Sequence, residues 1–205
     1  MKEKKFSLDQ LFKNAVNFHT NGKIIEAKNI YENILKVKPD HFLALGNLGI
    51  VFSQLKESKK AVELFNEAIK INPRYAEAYY NLGNIYRESA DYKKSIEFYK
   101  NAISIKPNYV SALINLSISL NKNGNLKEAI NYCETALNQD PNNVKALNNL
   151  GEYNHEIGNE NLSINYYKKA LKIEPKNLRS KWLLMNTFPI IYKNSEQIDY
   201  FKKHF

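Results

Sequence analysis

A single cysteine, Cys133, has no second thiol to pair with, so no internal disulfide forms and a reducing cytoplasm is the expected compartment. Long apolar runs are missing too. None approaches the ~18 residues that cross a bilayer, so no membrane association is expected. The first ten residues open with positive charge, yet Asp9, Gln10, Lys13 and Asn14 break up the apolar stretch that a secretory signal needs. Glycine is scarce at seven residues, and no phosphate-cradling glycine loop occurs. The four histidines (His19, His41, His155 and His204) lie far apart, and none has a His or Cys three or four residues on. His155 and Glu156 are adjacent, so their side chains diverge on a helix. No catalytic residue, metal site or cofactor is expected.

What is present is an ordinary soluble balance of 43% hydrophobic and 25% charged residues, with a formal charge of +9. The excess is uneven. From Lys168 to Phe205 there are nine Lys/Arg against three Asp/Glu. Without a nucleic-acid motif beside it, this basic end reads as solvated surface, and no nucleic-acid partner is expected.

The organising feature is a repeat. Five of the six prolines, Pro39, Pro73, Pro107, Pro141 and Pro175, stand 34 residues apart. The same step joins a small column (Ala27, Ala61, Ser95, Ala129, Ser163) and a mostly bulky one (Tyr31, Phe65, Tyr99, Cys133, Tyr167). It also joins Ala15, Gly49, Gly83, Ser117 and Gly151. Within residues 76–109, Tyr79, Leu82, Gly83 and Tyr86 recur at helical spacing, and Tyr92, Ser95, Ile96, Tyr99, Ala102 and Ile103 form a second stripe after a polar break. Pro107 ends the unit, because proline cannot continue a helix. Gly22, Gly124 and Gly158 mark the turn between helices. Each unit is therefore a helix hairpin, with Gly83, Ser95 and Ala102 giving room for close approach and Tyr86 and Tyr99 filling the gaps. One hairpin cannot bury its own apolar face, so neighbours must stack. After a lead-in at 1–7, five units run 8–41, 42–75, 76–109, 110–143 and 144–177, and a partial sixth with a capping helix occupies 178–205.

These columns, with Asn47-Leu48-Gly49 and Asn81-Leu82-Gly83 as the most typical stretches, resemble the tetratricopeptide repeat (TPR). Asn14 departs where leucine is usual, and Asn154 sits in an apolar column beside Tyr153. The resemblance implies an all-α, right-handed superhelical solenoid of helix hairpins, eleven helices to residue 188 and a short twelfth near 195–205. It also implies a concave groove, lined by first helices, that takes a protein or an extended peptide. The tail from Phe188-Pro-Ile-Ile-Tyr192 to Phe205 resembles the junction that follows the repeats in SPINDLY-like and O-linked N-acetylglucosamine transferases. That implies a substrate-recruiting region whose catalytic domain comes afterwards. The alternative is a free-standing adaptor that bridges proteins.

In the repeat family the sixth position of the first helix faces the groove. Here it holds Asn47, Asn81, Asn115 and Asn149. An amide has both an acceptor and donors, so such a ladder suits peptide backbone of any sequence, as the resemblance to the glycosyltransferases also implies. Asparagine is roughly one residue in seven of this chain, which weakens the signal. Asn84, Asn115 and Lys145 also match the carboxylate clamp of chaperone-binding relatives, but Tyr80 and Asn149 stand where that clamp has cations, so its charge-assisted grip is not expected. Tyr80, Arg87, Glu88, His155 and Glu156 are further groove-facing candidates for side-chain recognition.

Overall fold

The computed structural model describes residues 7–187, and it falls into two compact units, 1–124 and 125–205. The expected twelfth helix and the tail motif from Phe188 onward lie outside the described residues. Every element among those described is a helix, eleven in all, and the fold class is that of a TPR-like helix-hairpin solenoid.

In the first unit, α1 (Leu8–Thr20), α3 (Phe42–Gln54), α5 (Ala76–Glu88) and α7 (Val110–Lys122) alternate with α2 (Ile24–Val37), α4 (Ser58–Ile71) and α6 (Tyr92–Ile105). Within this unit α1, α3 and α5 each pack on the even helix that follows, and each even helix also packs on the next odd one. The second unit carries α8 (Leu126–Gln139), α9 (Val144–Glu156), α10 (Glu160–Ile173) and α11 (Leu178–Asn186). There α9 packs on α10, and α11 lies against both. No described helix is long and apolar enough to cross a membrane.

The columns become contacts. Ala27, Ala61, Ala68, Ala102, Tyr31 and Tyr99 are all fully buried in the first unit. A Cβ placed on Gly83 would come within 2.6 Å of the Tyr99 ring, and one on Gly49 within 2.9 Å of the Phe65 ring. The bulky column thus lies directly on the glycine column, which only the missing Cβ allows. Ser95 serves differently from the expectation that it would simply make room inside its own hairpin. Its hydroxyl meets that of Ser119 on α7 at 2.8 Å, so it also joins one hairpin to the next. Tyr86 stacks on Phe98 with ring centres 5.2 Å apart. In the second unit Gly151 meets Tyr167 in the same way, and Tyr153 and Asn154 are both buried. Asn154 is tolerated in its apolar column because its Nδ2 donates to the Leu150 carbonyl at 2.8 Å.

Each turn within a hairpin needs one left-handed residue. Gly22, Gly124 and Gly158 supply it at φ between 75° and 84°, but Lys56 and Ala90 fill the same position at 64° and 60°. A Cβ there crowds the neighbouring carbonyl at a cost of roughly 1–2 kcal/mol, partly offset by the greater freedom a glycine loses on folding. Ala90→Gly is therefore expected to stabilise the chain by about 0.5–1 kcal/mol, read as a rise of a few degrees in thermal midpoint. An unchanged or lower midpoint would contradict this account of the turn.

Candidate functional site

The sixth residue of α3, α5, α7 and α9 is asparagine in each case, and the chain surrounds the four amides quite differently. On α3, Asn47 is half-buried and makes no side-chain hydrogen bond among the described residues. On α5, half-buried Asn81 donates its Nδ2–H to the Glu77 carbonyl of its own helix at 2.9 Å.

On α7, Asn115 is buried at the centre of a polar cluster. Its Nδ2 donates to the Tyr80 hydroxyl at 3.1 Å and to Asn84 Oδ1 at 3.0 Å. The Tyr99 hydroxyl donates to the same Asn84 oxygen at 2.7 Å, while Arg87 Nε donates to that hydroxyl at 3.3 Å. Burial pushes the Tyr99 phenol up to about 12, against the pull of the Arg87 guanidinium, so Tyr99 stays a neutral donor at ordinary pH. The Tyr80 ring lies between Tyr99 (5.9 Å) and Tyr109 (4.9 Å). Tyr80, Asn84, Arg87 and Asn115, all expected groove residues, are thus brought together, and each is held by its neighbours. Glu88 lies exposed at the end of α5.

In the second unit, Asn149 is 1% exposed on α9. Its Oδ1 accepts from Arg179 of α11 at 3.1 Å, and Arg179 also pairs with Glu152 at 2.7 Å. The Nδ2 of Asn149 is buried with no partner. An unsatisfied buried donor costs about 1–3 kcal/mol, and at this depth the amide is closed to a ligand arriving from solvent. Beside it, an open depression of about 230 Å³ is lined by Val144, Lys145, Asn148, Glu174, Asn177 and Arg179. Lys145 is exposed there, as are His155 and Glu156 at the far end of α9.

Reading along columns missed Arg179, Glu152, Tyr99 and Tyr109. Arg179 had a signal, since it lies one 34-residue step beyond Lys145. No group of three His, Cys, Asp or Glu residues able to hold a metal occurs among the described residues.

Family models described as tetratricopeptide repeat match residues 76–109 and 109–176, and one described as TPR repeat matches 52–89. Between them they cover more than half of the chain. Among curated proteins none matches. Solved structures do. MamA is 25% identical with a TM-score of 0.72, over 79% of this chain and 95% of that one. PilF of Pseudomonas aeruginosa is 20% identical with a TM-score of 0.80, over 88% and 82%. YrrB, described as a TPR protein with an unusual peptide-binding site, is 20% identical with a TM-score of 0.71, over 88% and 93%.

Proposed function

For a chain that belongs to the tetratricopeptide-repeat family, we propose a scaffold that holds protein or extended peptide against its first helices and performs no chemistry of its own. The observation that carries this reading is the asparagine column of the first helices, Asn47, Asn81, Asn115 and Asn149, in which Asn47 is half-buried and keeps its amide uncommitted among the described residues. Asn47 offers a whole amide, and Asn81 offers its Oδ1 to a peptide N–H. Asn115 acts mainly by fixing Tyr80 and Asn84, whose aromatic and amide surfaces, with Arg87, would meet side chains. Lys145 and the depression beside it give the second unit room for a residue-sized group. YrrB, similar in fold, is described as having a peptide-binding site, which is compatible with this use of the scaffold. The single cysteine supports a cytoplasmic setting.

The test is calorimetry with extended peptides of unrelated sequence. Binding of similar strength to several of them, lost when the asparagines are removed, is the expected result. Binding that ignores the asparagines would sink the reading.

The tail resemblance supports a second, finer reading, in which this chain recruits substrates for an O-linked N-acetylglucosamine transferase-like (SPINDLY-like) enzyme. A free-standing adaptor is the alternative. The two are told apart by the gene sequence beyond Phe205, where a sugar-nucleotide transferase domain is required by the first and absent in the second.

A further inference from the structure

The polar cluster around Asn84 engages its acceptors internally and keeps its donors. Asn84 Oδ1 takes two hydrogen bonds, from the Tyr99 hydroxyl at 2.7 Å and from Asn115 Nδ2 at 3.0 Å. With that oxygen fixed, the Nδ2 of the planar amide is turned away from the cluster and bonds to nothing among the described residues. The Tyr80 hydroxyl accepts from Asn115 Nδ2 at 3.1 Å, so its own O–H is left to donate. Arg87 commits only Nε, to the Tyr99 hydroxyl at 3.3 Å, and its two Nη groups meet no carboxylate among the described residues. Tyr80, Asn84 and Arg87 are half-buried, and none of these donors is sealed off as Asn149 Nδ2 is.

Positions 80, 84 and 87 are spaced four and three residues apart, so the three donors lie on one face of α5. A peptide group or an amide would bring a donor along with its acceptor and leave that donor unmet. An ionised carboxylate only accepts, at two oxygens, and a guanidinium fork can meet both of them. The acidic neighbours do not fill the place. Glu77 is paired with Lys106 at 3.5 Å, and exposed Glu88, next to Arg87 in the chain, leaves the helix about 100° further round. The negative end of the α5 dipole opposes an anion here, but charge-assisted bonds from the guanidinium are the stronger effect.

We infer that this face of α5 seats the carboxylate of a glutamate or aspartate side chain of the bound peptide, with Arg87 and Asn84 as its main donors and Tyr80 as a third. The inference rests on the peptide-scaffold reading and adds selectivity to it: the asparagine column holds backbone, and the α5 face selects an acidic residue. A side chain is a better source of the carboxylate than a chain terminus. The clamp that grips termini needs cations where Tyr80 and Asn149 stand, and Arg87 lies outside that set, about two turns beyond Tyr80. One step of 34 to either side of Arg87 the chain has Ser53 and Asn121, so the first unit offers a single such seat. Tyr99 is a positioning residue, because its hydroxyl links Arg87 to Asn84.

The experiment is calorimetry on the full chain with a neutral extended peptide, capped at both ends, in which one glutamate is moved along the sequence. At one position the glutamate peptide should bind about tenfold tighter than its glutamine twin, and the gain should shrink as salt is raised. Arg87→Gln should bring the twins to equal affinity, and Arg87→Lys should restore only part of the gain, since lysine lacks the fork. Tyr99→Phe should reduce the gain while the guanidinium remains. Arg74→Gln, which removes an exposed cation just before α5, should preserve it. Glutamate favoured equally at every position, or a gain that survives Arg87→Gln, would mean general attraction to a basic chain and overturns the proposal. So does a gain seen only with an uncapped C-terminus, or no gain at all. The twin comparison is made on the parent chain and stands even where a variant folds poorly. If neither twin binds, the peptide-scaffold reading falls and this inference with it; if both bind alike, this inference falls alone.

Discussion

Replacing Asn47, Asn81, Asn115 and Asn149 together by alanine is expected to abolish micromolar binding of extended peptides. A neutral hydrogen bond contributes roughly 0.5–1.5 kcal/mol net, so four lost contacts amount to several kcal/mol. Micromolar affinity corresponds to only about 8 kcal/mol. The single substitutions should not be equal. Asn47→Ala should weaken binding several-fold and leave the fold intact, because its amide is not committed elsewhere among the described residues, whereas Asn149→Ala should act through the Arg179 guanidinium that it holds. Asn115→Ala should act twice over, since Tyr80 and Asn84 lose the donor that fixes them. It should therefore lower stability as well as affinity. The control is the set Asn66, Asn101 and Asn131 on the second helices α4, α6 and α8. Equal losses in the control, or losses confined to one peptide sequence, would mean that the column reflects only the chain's richness in asparagine.

The helices were legible because a few residue types dictate them. Every proline of the 34-residue column falls two residues after the end of an even helix, and Gly22, Gly124 and Gly158 each adopt the left-handed turn assigned to them. The surroundings of each asparagine were not legible. Asn115 and Asn47 occupy one column and look alike in it, yet the partners of Asn115 stand 35 and 31 residues earlier, at Tyr80 and Asn84. Two steps of 34 before Tyr80 and Asn84, where Asn47 would find the same partners, the chain has Phe12 and Val16, which offer neither a hydroxyl nor an amide. Whether an amide is satisfied thus depends on a different column of the preceding repeat. For Asn149 the deciding residue stands in the repeat that follows, where Arg179 of α11 donates to its Oδ1. A repeat pattern fixes where side chains emerge, and the variation between columns decides what they meet.

Gly83→Ala is expected to destabilise the chain by about 1–3 kcal/mol, the usual range for overpacking a filled core. On helix propensity alone the change would be favourable, by about 1 kcal/mol. Packing wins because the added Cβ would lie 2.6 Å from both Cδ1 and Cε1 of Tyr99. That ring cannot simply withdraw. It is fully buried, and its hydroxyl is bonded to Asn84 at 2.7 Å and to Arg87 at 3.3 Å. Moving it would disturb the polar cluster around Asn115, so the loss reaches the candidate site as well as the core. For a chain of this size the thermal midpoint should fall by roughly 2–4 °C for each kcal/mol. Gly49→Ala should cost less, because its nearest atoms, on Phe65, lie at 2.9–3.1 Å and that ring has no hydrogen bond to hold it. The decisive measurement is a double-mutant cycle with Tyr99→Val. Tyr99→Val is destabilising by itself, but in its background Gly83→Ala should change sign and become stabilising, since the obstructing ring is gone and helix propensity remains. If Gly83→Ala melts like the parent, or is equally harmful in both backgrounds, then the glycine column is not what lets the two helices of a hairpin meet.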